Sequence, residues 1–206
     1  MREIGPFSSS VTGLAWSGDS RKVATAGYGG VTFSGLEQEA PSERLAWKAS
    51  FIGTAWSRDG RHLAAATQES TVAYWRLPFE GLEPLHMSGY ASKVTALSWD
   101  GSSRYLATGG GDVVTVWDVS GTGPAGSTPV QLEGHEARVS SLAWAHAADA
   151  LVSGAQDGSV WAWRPGKGVR GVKLPGAAGE IRCLAWSPDD LALGVGSADG
   201  TVRMVG

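Results

Sequence analysis

Along this chain the apolar residues fall in short runs that alternate apolar and polar positions, with Gly, Asp and Ser gathered between them. Five of these runs, VTGLAWS, FIGTAWS, VTALSWD, VSSLAWA and IRCLAWS, place Trp16, Trp56, Trp99, Trp144 and Trp186 in register, with gaps of 40, 43, 45 and 42 residues. Each is followed by a polar turn (SGDSRK, SRDGRH, DGSSRY, AHAADA, SPDDLA) and a second apolar run (VATAG, LAAAT, LATGG, LVSGA, LGVGS). A turn containing Gly or Asp then leads to a third run: VTFSG, TVAYWRL, VVTVWDV, SVWAWRP, TVRMVG. Two-fold alternation in short runs broken by turn residues predicts antiparallel strands joined by hairpins. No stretch reads as a helix.

A fourth, weaker strand is predicted between most units, at RLAWKAS, PLHMSGY, PVQLEGH and GVKLPGA. Four strands in a unit of about 40 to 45 residues is the pattern of a propeller blade. A twisted four-stranded sheet has two apolar faces and covers neither alone, so neighbouring units must cover them, and the aligned tryptophans read as wedges between blades. The predicted fold is all-β: a single domain over 1–206, with repeats at approximately 9–48, 49–91, 92–136, 137–178 and 179–206.

Residues 134–164, GHEARVSSLAWAHAADALVSGAQDGSVWAWR, resemble the WD-repeat family. That resemblance implies a hydrogen-bonded series of His, Ser or Thr, Asp and Trp, here His135, Ser153, Asp157 and Trp163. A buried imidazole bridging a hydroxyl and a carboxylate leaves few unsatisfied polar atoms in a β-only core. The preceding unit puts Tyr90 at the His position, then Thr108, Asp112 and Trp117, with a turn one residue shorter. In the second unit Trp47 and Ala65 replace the His and Ser, Glu69 stands for the Asp, and Trp75 fits. The last unit keeps Asp199 but has Val195 and Val205, and the first is weakest, with Gly29 and Ser34. WD-repeat propellers most often have seven blades. Five units therefore imply either a closed five-bladed ring, with MREIGPFS as the missing fourth strand of the last blade, or part of a larger ring. An incomplete ring would leave apolar blade faces free for self-association.

Composition narrows the chemistry. Charged residues make up 18% of the 206, net charge is −3, and no Lys/Arg run is long enough to track phosphates, which argues against nucleic acid as a direct partner. No apolar segment approaches the roughly 20 residues of a membrane helix, so a cytoplasmic protein with no membrane partner is expected. Cys183 is the sole cysteine, and no intrachain disulfide can form. The 30 Gly suit many tight turns, and the 10 Trp a repeated structural position.

His135, Ser153 and Asp157 contain the residue types of a hydrolytic triad, yet the repeat places the Ser on a central strand, away from any oxyanion site. A stabilising network is the expected role, and no catalytic residue is assigned. His62, His86, His135 and His146 lack paired ligand spacing, so neither metal nor cofactor is expected. GGG at 109–111 has no helix or Lys-Ser after it and fails as a phosphate loop. Asp19, Asp59 and Asp189 recur in turns, which their capping geometry explains. Trp161 and Trp47 are candidate surface anchors for a partner. The resulting expectation is a non-catalytic scaffold binding other proteins. The alternatives are a small-molecule or enzymatic propeller using a central channel, and a truncated repeat domain with no separate activity.

Overall fold

Alternation makes strands here because each run presents one side chain to either face of a sheet, and the Gly, Asp and Ser clusters between runs supply the turns. The computed structural model describes residues 3–36, 43–78, 83–121 and 123–206. The chain divides into two compact units, Met1–Gly89 and Tyr90–Gly206.

The first unit holds β1 (Gly13–Trp16), β2 (Lys22–Gly35), β3 (Glu43–Trp56), β4 (His62–Thr67), β5 (Val72–Arg76) and β6 (Leu85–Met87), hydrogen-bonded in that order. Two repeats are fused in this sheet. The second and third predicted runs of the first repeat are continuous in β2, which folds back on itself: Leu36 donates its amide to the Arg21 carbonyl at 3.0 Å, and Thr25 Oγ1 bonds the Thr32 carbonyl at 3.2 Å. The reversal lies at Tyr28–Gly30, where Gly29 (φ 80°) and Gly30 (φ 150°) take backbone conformations that a side chain would strain. Likewise the fourth strand of the first repeat runs without a turn into the first strand of the second. β3 therefore pairs with β2 through Glu43–Ser50 and with β4 through Phe51–Trp56.

The second unit has three separate antiparallel sheets. β7 (Ala96–Trp99), β8 (Tyr105–Gly109), β9 (Val114–Asp118) and β10 (Val130–Leu132) form one. β11 (Val139–Trp144), β12 (Leu151–Ala155), β13 (Val160–Trp163) and β14 (Val172–Leu174) form the next, and β15 (Ile181–Trp186), β16 (Leu193–Ser197) and β17 (Val202–Val205) the last. One 3-10 turn, Pro165–Lys167, is the only helical segment among the described residues. The fourth strands β6, β10 and β14 are three residues each, shorter than the runs that predict them.

Of residues 1–8, which the closed-ring alternative takes as a fourth strand, residues 3–8 form no strand and residues 1–2 lie outside the described residues. The segment after them is tied to β2: Ser9 Oγ accepts the Tyr28 amide at 3.0 Å, and the Thr12 amide bonds the Ala26 carbonyl at 2.9 Å. Pro6, with no amide hydrogen, interrupts any ladder within residues 3–8.

Within the second unit, neighbouring sheets cover one another by a recurring contact. The residue that leads β11 and the one that leads β15 are driven onto a glycine of the sheet before: Val139 packs over Gly109, where an added Cβ would lie 2.7 Å from its Cγ1, and Ile181 packs over Gly154. A hydroxyl crosses at the same level, from Thr12 Oγ1 to the Phe51 carbonyl (2.7 Å), Thr95 Oγ1 to that of Val139 (3.3 Å), and Ser140 Oγ to that of Ile181 (2.6 Å). Trp56, Trp144 and Trp186 form the wedge expected of the tryptophans. Trp56 packs on Phe33 at 5.1 Å, Trp144 joins Ala107, Val114 and Val116 of the preceding sheet, and Trp186 Nε1 donates to the Ala143 carbonyl at 3.2 Å.

Trp144 is 7% exposed and Trp16 57%. Trp144→Ala should therefore cost about 3 kcal/mol or more in urea unfolding, as buried aromatic truncations do. Trp16→Ala should cost under about 1 kcal/mol, as at other exposed positions. Equal losses would contradict the packing described.

Candidate functional site

The densest group of buried polar side chains lies in the sheet of β11–β14. Ser153 is central on β12, opposite Trp161 in the ladder, and fully buried. Trp163 Nε1 donates to Ser153 Oγ at 2.8 Å, and His135 Nε2 lies 2.7 Å from the same oxygen. The other imidazole nitrogen, Nδ1, is 2.8 Å from Ser159 Oγ, and the Ser159 hydroxyl and amide both donate to Asp157 Oδ1, at 2.7 and 3.0 Å. Thus His135 does not touch the carboxylate expected beside it: Ser159 relays between them. With Asp157 and Ser159 two apart across a Gly turn, the carboxylate caps its own turn and reaches the imidazole only through the hydroxyl.

Burial sets the charge state. It lowers the His135 pKa to about 4, with Asp157 opposing and Lys173 adding to the effect. Asp157 is itself pushed up by burial, but the Ser159 hydroxyl and amide outweigh this and leave it below the usual carboxylate value. Ser153 Oγ is enclosed and already bonded to two partners.

In the sheet of β7–β10 Tyr90 does the imidazole's work. Its hydroxyl lies 3.0 Å from Thr108 Oγ1 and accepts from Trp117 Nε1 at 2.9 Å, while Thr108 Oγ1 bonds the Thr115 carbonyl at 3.1 Å. Burial raises the Tyr90 pKa to about 12, against the two hydrogen bonds. Asp112, expected in this series, is exposed and outside it. A phenol has one heteroatom where imidazole has two, and Thr108 and Trp117 occupy it.

The first unit carries a pair that sequence reasoning missed. His62 Nδ1 sits 2.6 Å from Tyr74 Oη, and His62 Nε2 3.9 Å from Asp59 Oδ2. Burial lowers the His62 pKa against the pull of Asp59, and raises that of Tyr74 to about 12. His62 and Tyr74 stand on adjacent antiparallel strands, a diagonal relation that the ladder register would reveal and the linear sequence does not.

Of the two anchor tryptophans, Trp161 stacks on Trp163 at 5.5 Å and 17° and meets His135 edge-on at 6.3 Å. Its Nε1 is buried without a partner among the described residues. Trp47 is half-buried, 4.9 Å from the His86 ring. The turn aspartates behave as capping groups: Ser17 Oγ donates to Asp19 at 2.6 Å, Ser57 Oγ to Asp59 at 2.6 Å and Ser187 Oγ to Asp189 at 2.5 Å. Next to the last of these, Asp190 accepts the amides of His146, Ala147 and Ala148 at 2.8, 2.8 and 3.2 Å, plus His146 Nδ1 at 2.8 Å, which clamps the turn after β11 to the turn after β15. These bonds hold its carboxyl well below the usual range. Among the described residues no three His, Cys, Asp or Glu side chains gather closely enough to hold a metal. No helix there is long and apolar enough to cross a membrane.

Residues 142–206 match the model of the anaphase-promoting complex subunit 4 WD40 domain, and residues 83–118 that of the WD domain, G-beta repeat. The chain belongs to the WD-repeat family. Among curated WD-repeat relatives, the WD repeat-containing protein 26 homolog of Arabidopsis thaliana is 42% identical over 57 residues, 27% of this chain and 10% of that protein. Coronin-7 of Pongo abelii is 30% identical over 163 residues, covering 76% and 13% respectively. The DENN domain and WD repeat-containing protein SCD1 of Arabidopsis thaliana is 27% identical over 145 residues, covering 70% and 12%. The chain thus spans about a tenth of the length of the relatives it matches.

For this WD-repeat chain the buried imidazole fixes a pH dependence. Because the folded His135 pKa of about 4 lies below its free value of 6.5, the unfolded state binds the proton first. Its contribution is complete above about pH 6.5 and is lost as pH falls towards 4, by an amount on the order of 3 kcal/mol. Urea unfolding at pH 7, 5.5 and 4.5 should show this slope, and His135→Gln should flatten most of it while lowering stability at pH 7 by about 1 to 3 kcal/mol. An unchanged slope in the variant would remove His135 as its source.

Proposed function

We propose that this chain is a non-catalytic, cytoplasmic protein-interaction scaffold, binding other proteins through the turns that edge its sheets. WD repeats generally mediate protein–protein interaction, and the repeats here are of that type. The observation that carries the reading is the way turns are braced from within. His135, Ser159 and Asp157 fix one, Asp190 clamps two together, and serine-aspartate caps fix others, so surface loops are held in one geometry before any partner arrives. Preorganised loops lose little entropy on association, which favours binding by display. Arg58 and Arg61 lie exposed on one such capped turn and are candidate partner contacts, as are the half-buried Trp161 and Trp47. Nucleic acid and membranes stay outside the proposal, given a net charge of −3 with no basic stripe.

Crosslinked affinity purification of the full-length protein from native cells should recover specific proteins, and reversing Arg58 and Arg61 to Glu should remove a subset at unchanged thermal stability. Recovery of no protein above background, together with thermal stabilisation by one small molecule or metal, would overturn the scaffold in favour of a ligand-binding or enzymatic propeller.

A further inference from the structure

Within the second unit, a cavity of about 460 Å³ opens between the sheet of β7–β10 and that of β11–β14, at the turns that follow β7 and β11. Trp144 and Tyr105 line it together with Asp100, His146, Ala148 and Asp149. A volume in the range of roughly 300 to 1,000 Å³ is that of an ordinary ligand site.

Trp144 brings a donor without an acceptor. The residue is 7% exposed, and its Nε1 is buried with no hydrogen-bond partner among the described residues. Two tryptophans at the same repeat position do find one: Trp56 Nε1 donates to the Gly60 carbonyl of its own turn at 3.1 Å, and Trp186 Nε1 to the Ala143 carbonyl at 3.2 Å. Ala148 stands where Gly60 stands relative to its tryptophan, but its carbonyl accepts the Ala150 amide at 2.9 Å, and its amide goes to Asp190 at 3.2 Å. The clamped turn therefore keeps from Trp144 the acceptor that Trp56 has. A buried N–H left unpaired is costly and rare in folded chains, so the position calls for an acceptor from outside.

The acidic side of the cavity is open as well. Asp149 is exposed and makes no hydrogen bond or ion pair among the described residues. Asp100 accepts only from its own turn, the Ser102 and Tyr105 amides at 3.1 and 2.7 Å and the Ser102 hydroxyl. No Lys or Arg lines the cavity among the described residues. Arg104, in the turn after β7, is turned to Asp118, to which Nε and Nη2 donate at 3.1 and 2.7 Å.

We infer that this cavity receives an arginine or lysine side chain of a partner protein, with its charge beside Asp100 and Asp149 and a backbone carbonyl of the same segment on Trp144 Nε1. A basic residue in a peptide carries both of the groups that are wanted here, a cation and an acceptor. A bare metal ion lacks the acceptor, and an anion would meet the two carboxylates. The inference rests on the scaffold reading and gives one of its partners a chemistry.

Peptide titration followed by ¹⁵N NMR of the indole signals tests it. The probes are acetyl-Gly-Ser-Arg-Ser-Gly-amide, its lysine counterpart, and a citrulline control that keeps the shape of arginine without the charge. The indole signal lost in Trp144→Phe is that of Trp144. The arginine or lysine peptide should move it saturably, and the citrulline peptide should bind about five-fold more weakly or worse. Asp149→Asn removes no hydrogen bond from the fold, so it should weaken the charged peptides by a similar factor at unchanged thermal stability. No saturable shift with either charged peptide overturns the inference, as does equal affinity for the citrulline peptide or in Asp149→Asn. Should Trp144→Phe fail to fold, the affinities of the wild-type and Asp149→Asn chains for the three peptides decide alone. Crosslinked affinity purification separates the two readings. If the wild-type chain recovers no protein, the scaffold itself fails; if wild-type and Asp100→Asn/Asp149→Asn chains recover the same proteins in the same amounts, this inference alone fails.

Discussion

The rest of this structure depends on how closely one sheet can approach the next. Packed sheets ordinarily stand about 10 Å apart, a gap filled by side chains from both. Here Gly109 and Gly154 remove one of the two layers at the point where Val139 and Ile181 enter, so the leading ends of β11 and β15 sink against the sheet before them. That depth lets a short Thr or Ser hydroxyl reach across to a main-chain carbonyl, which would be out of range at ordinary sheet spacing. It also sets the angle at which Trp144 and Trp186 meet the preceding sheet. A side chain on Gly154 would push Ile181 outward, and with it the hydroxyl bond and the wedge, so three stabilising contacts rest on the absence of one methyl group.

Stability in such a chain is close to a sum of repeat and neighbour terms, and the polar series adds a term that the apolar contacts cannot. Ser153 would be costly inside the sheet if unpaired. With Trp163 and His135 it becomes the anchor of a series that runs outward to the turn at Asp157. Where the imidazole is replaced by Tyr90, the same hydroxyl and indole are satisfied but the series stops short of the turn. Where both His and Ser are absent, in the second repeat, Ala65 and Trp75 pack into the apolar cluster. The three solutions are equivalent for the core and differ only in whether a turn is held.

The strand pattern and the tryptophan register were legible because each is fixed by period alone, whereas the series of His135, Ser153 and Trp163 was legible through the resemblance to the WD-repeat family. Side chains that alternate on a strand and recur at one repeat length must share a face. What was not legible depends on local closure. The two runs within β2, VATAG and VTFSG, were separate in the sequence, but the tightness of the fold-back at Tyr28–Gly30, which leaves them one continuous strand, was not legible there. The relay through Ser159 turns on which atom of the turn faces the imidazole, and a shift of one bond decides it. Residues 1–8 were a candidate strand only by the count that a closed ring requires, and the segment after them is tied to β2 through Ser9 and Thr12. The clamp by Asp190 joins residues more than forty apart, and nothing in SPDD distinguishes it from the other capped turns.

These elements combine at the junction after β14. The turn that Asp157 caps ends at Gly158, whose carbonyl accepts the Ala177 amide at 2.9 Å, and Ala177 lies in the segment that enters β15. The path from Ser153 through His135, Ser159 and Asp157 to Gly158 and Ala177 is thus continuous, running from the buried centre of one sheet to the lead-in of the next. Ile181, four residues further on, is the knob that sits over Gly154, beside Ser153 on the same strand. The apolar contact and the polar series therefore close a loop: the imidazole holds the turn, the turn holds the entry to β15, and that entry delivers Ile181 back to the strand carrying Ser153. A proton on His135 acts against this loop at its most enclosed point, because a charged imidazole must donate from both nitrogens and no longer accepts the hydrogen of the Ser153 hydroxyl. Loss of the neutral ring would then weaken a sheet-to-sheet contact made entirely of carbon, although no charged group touches it.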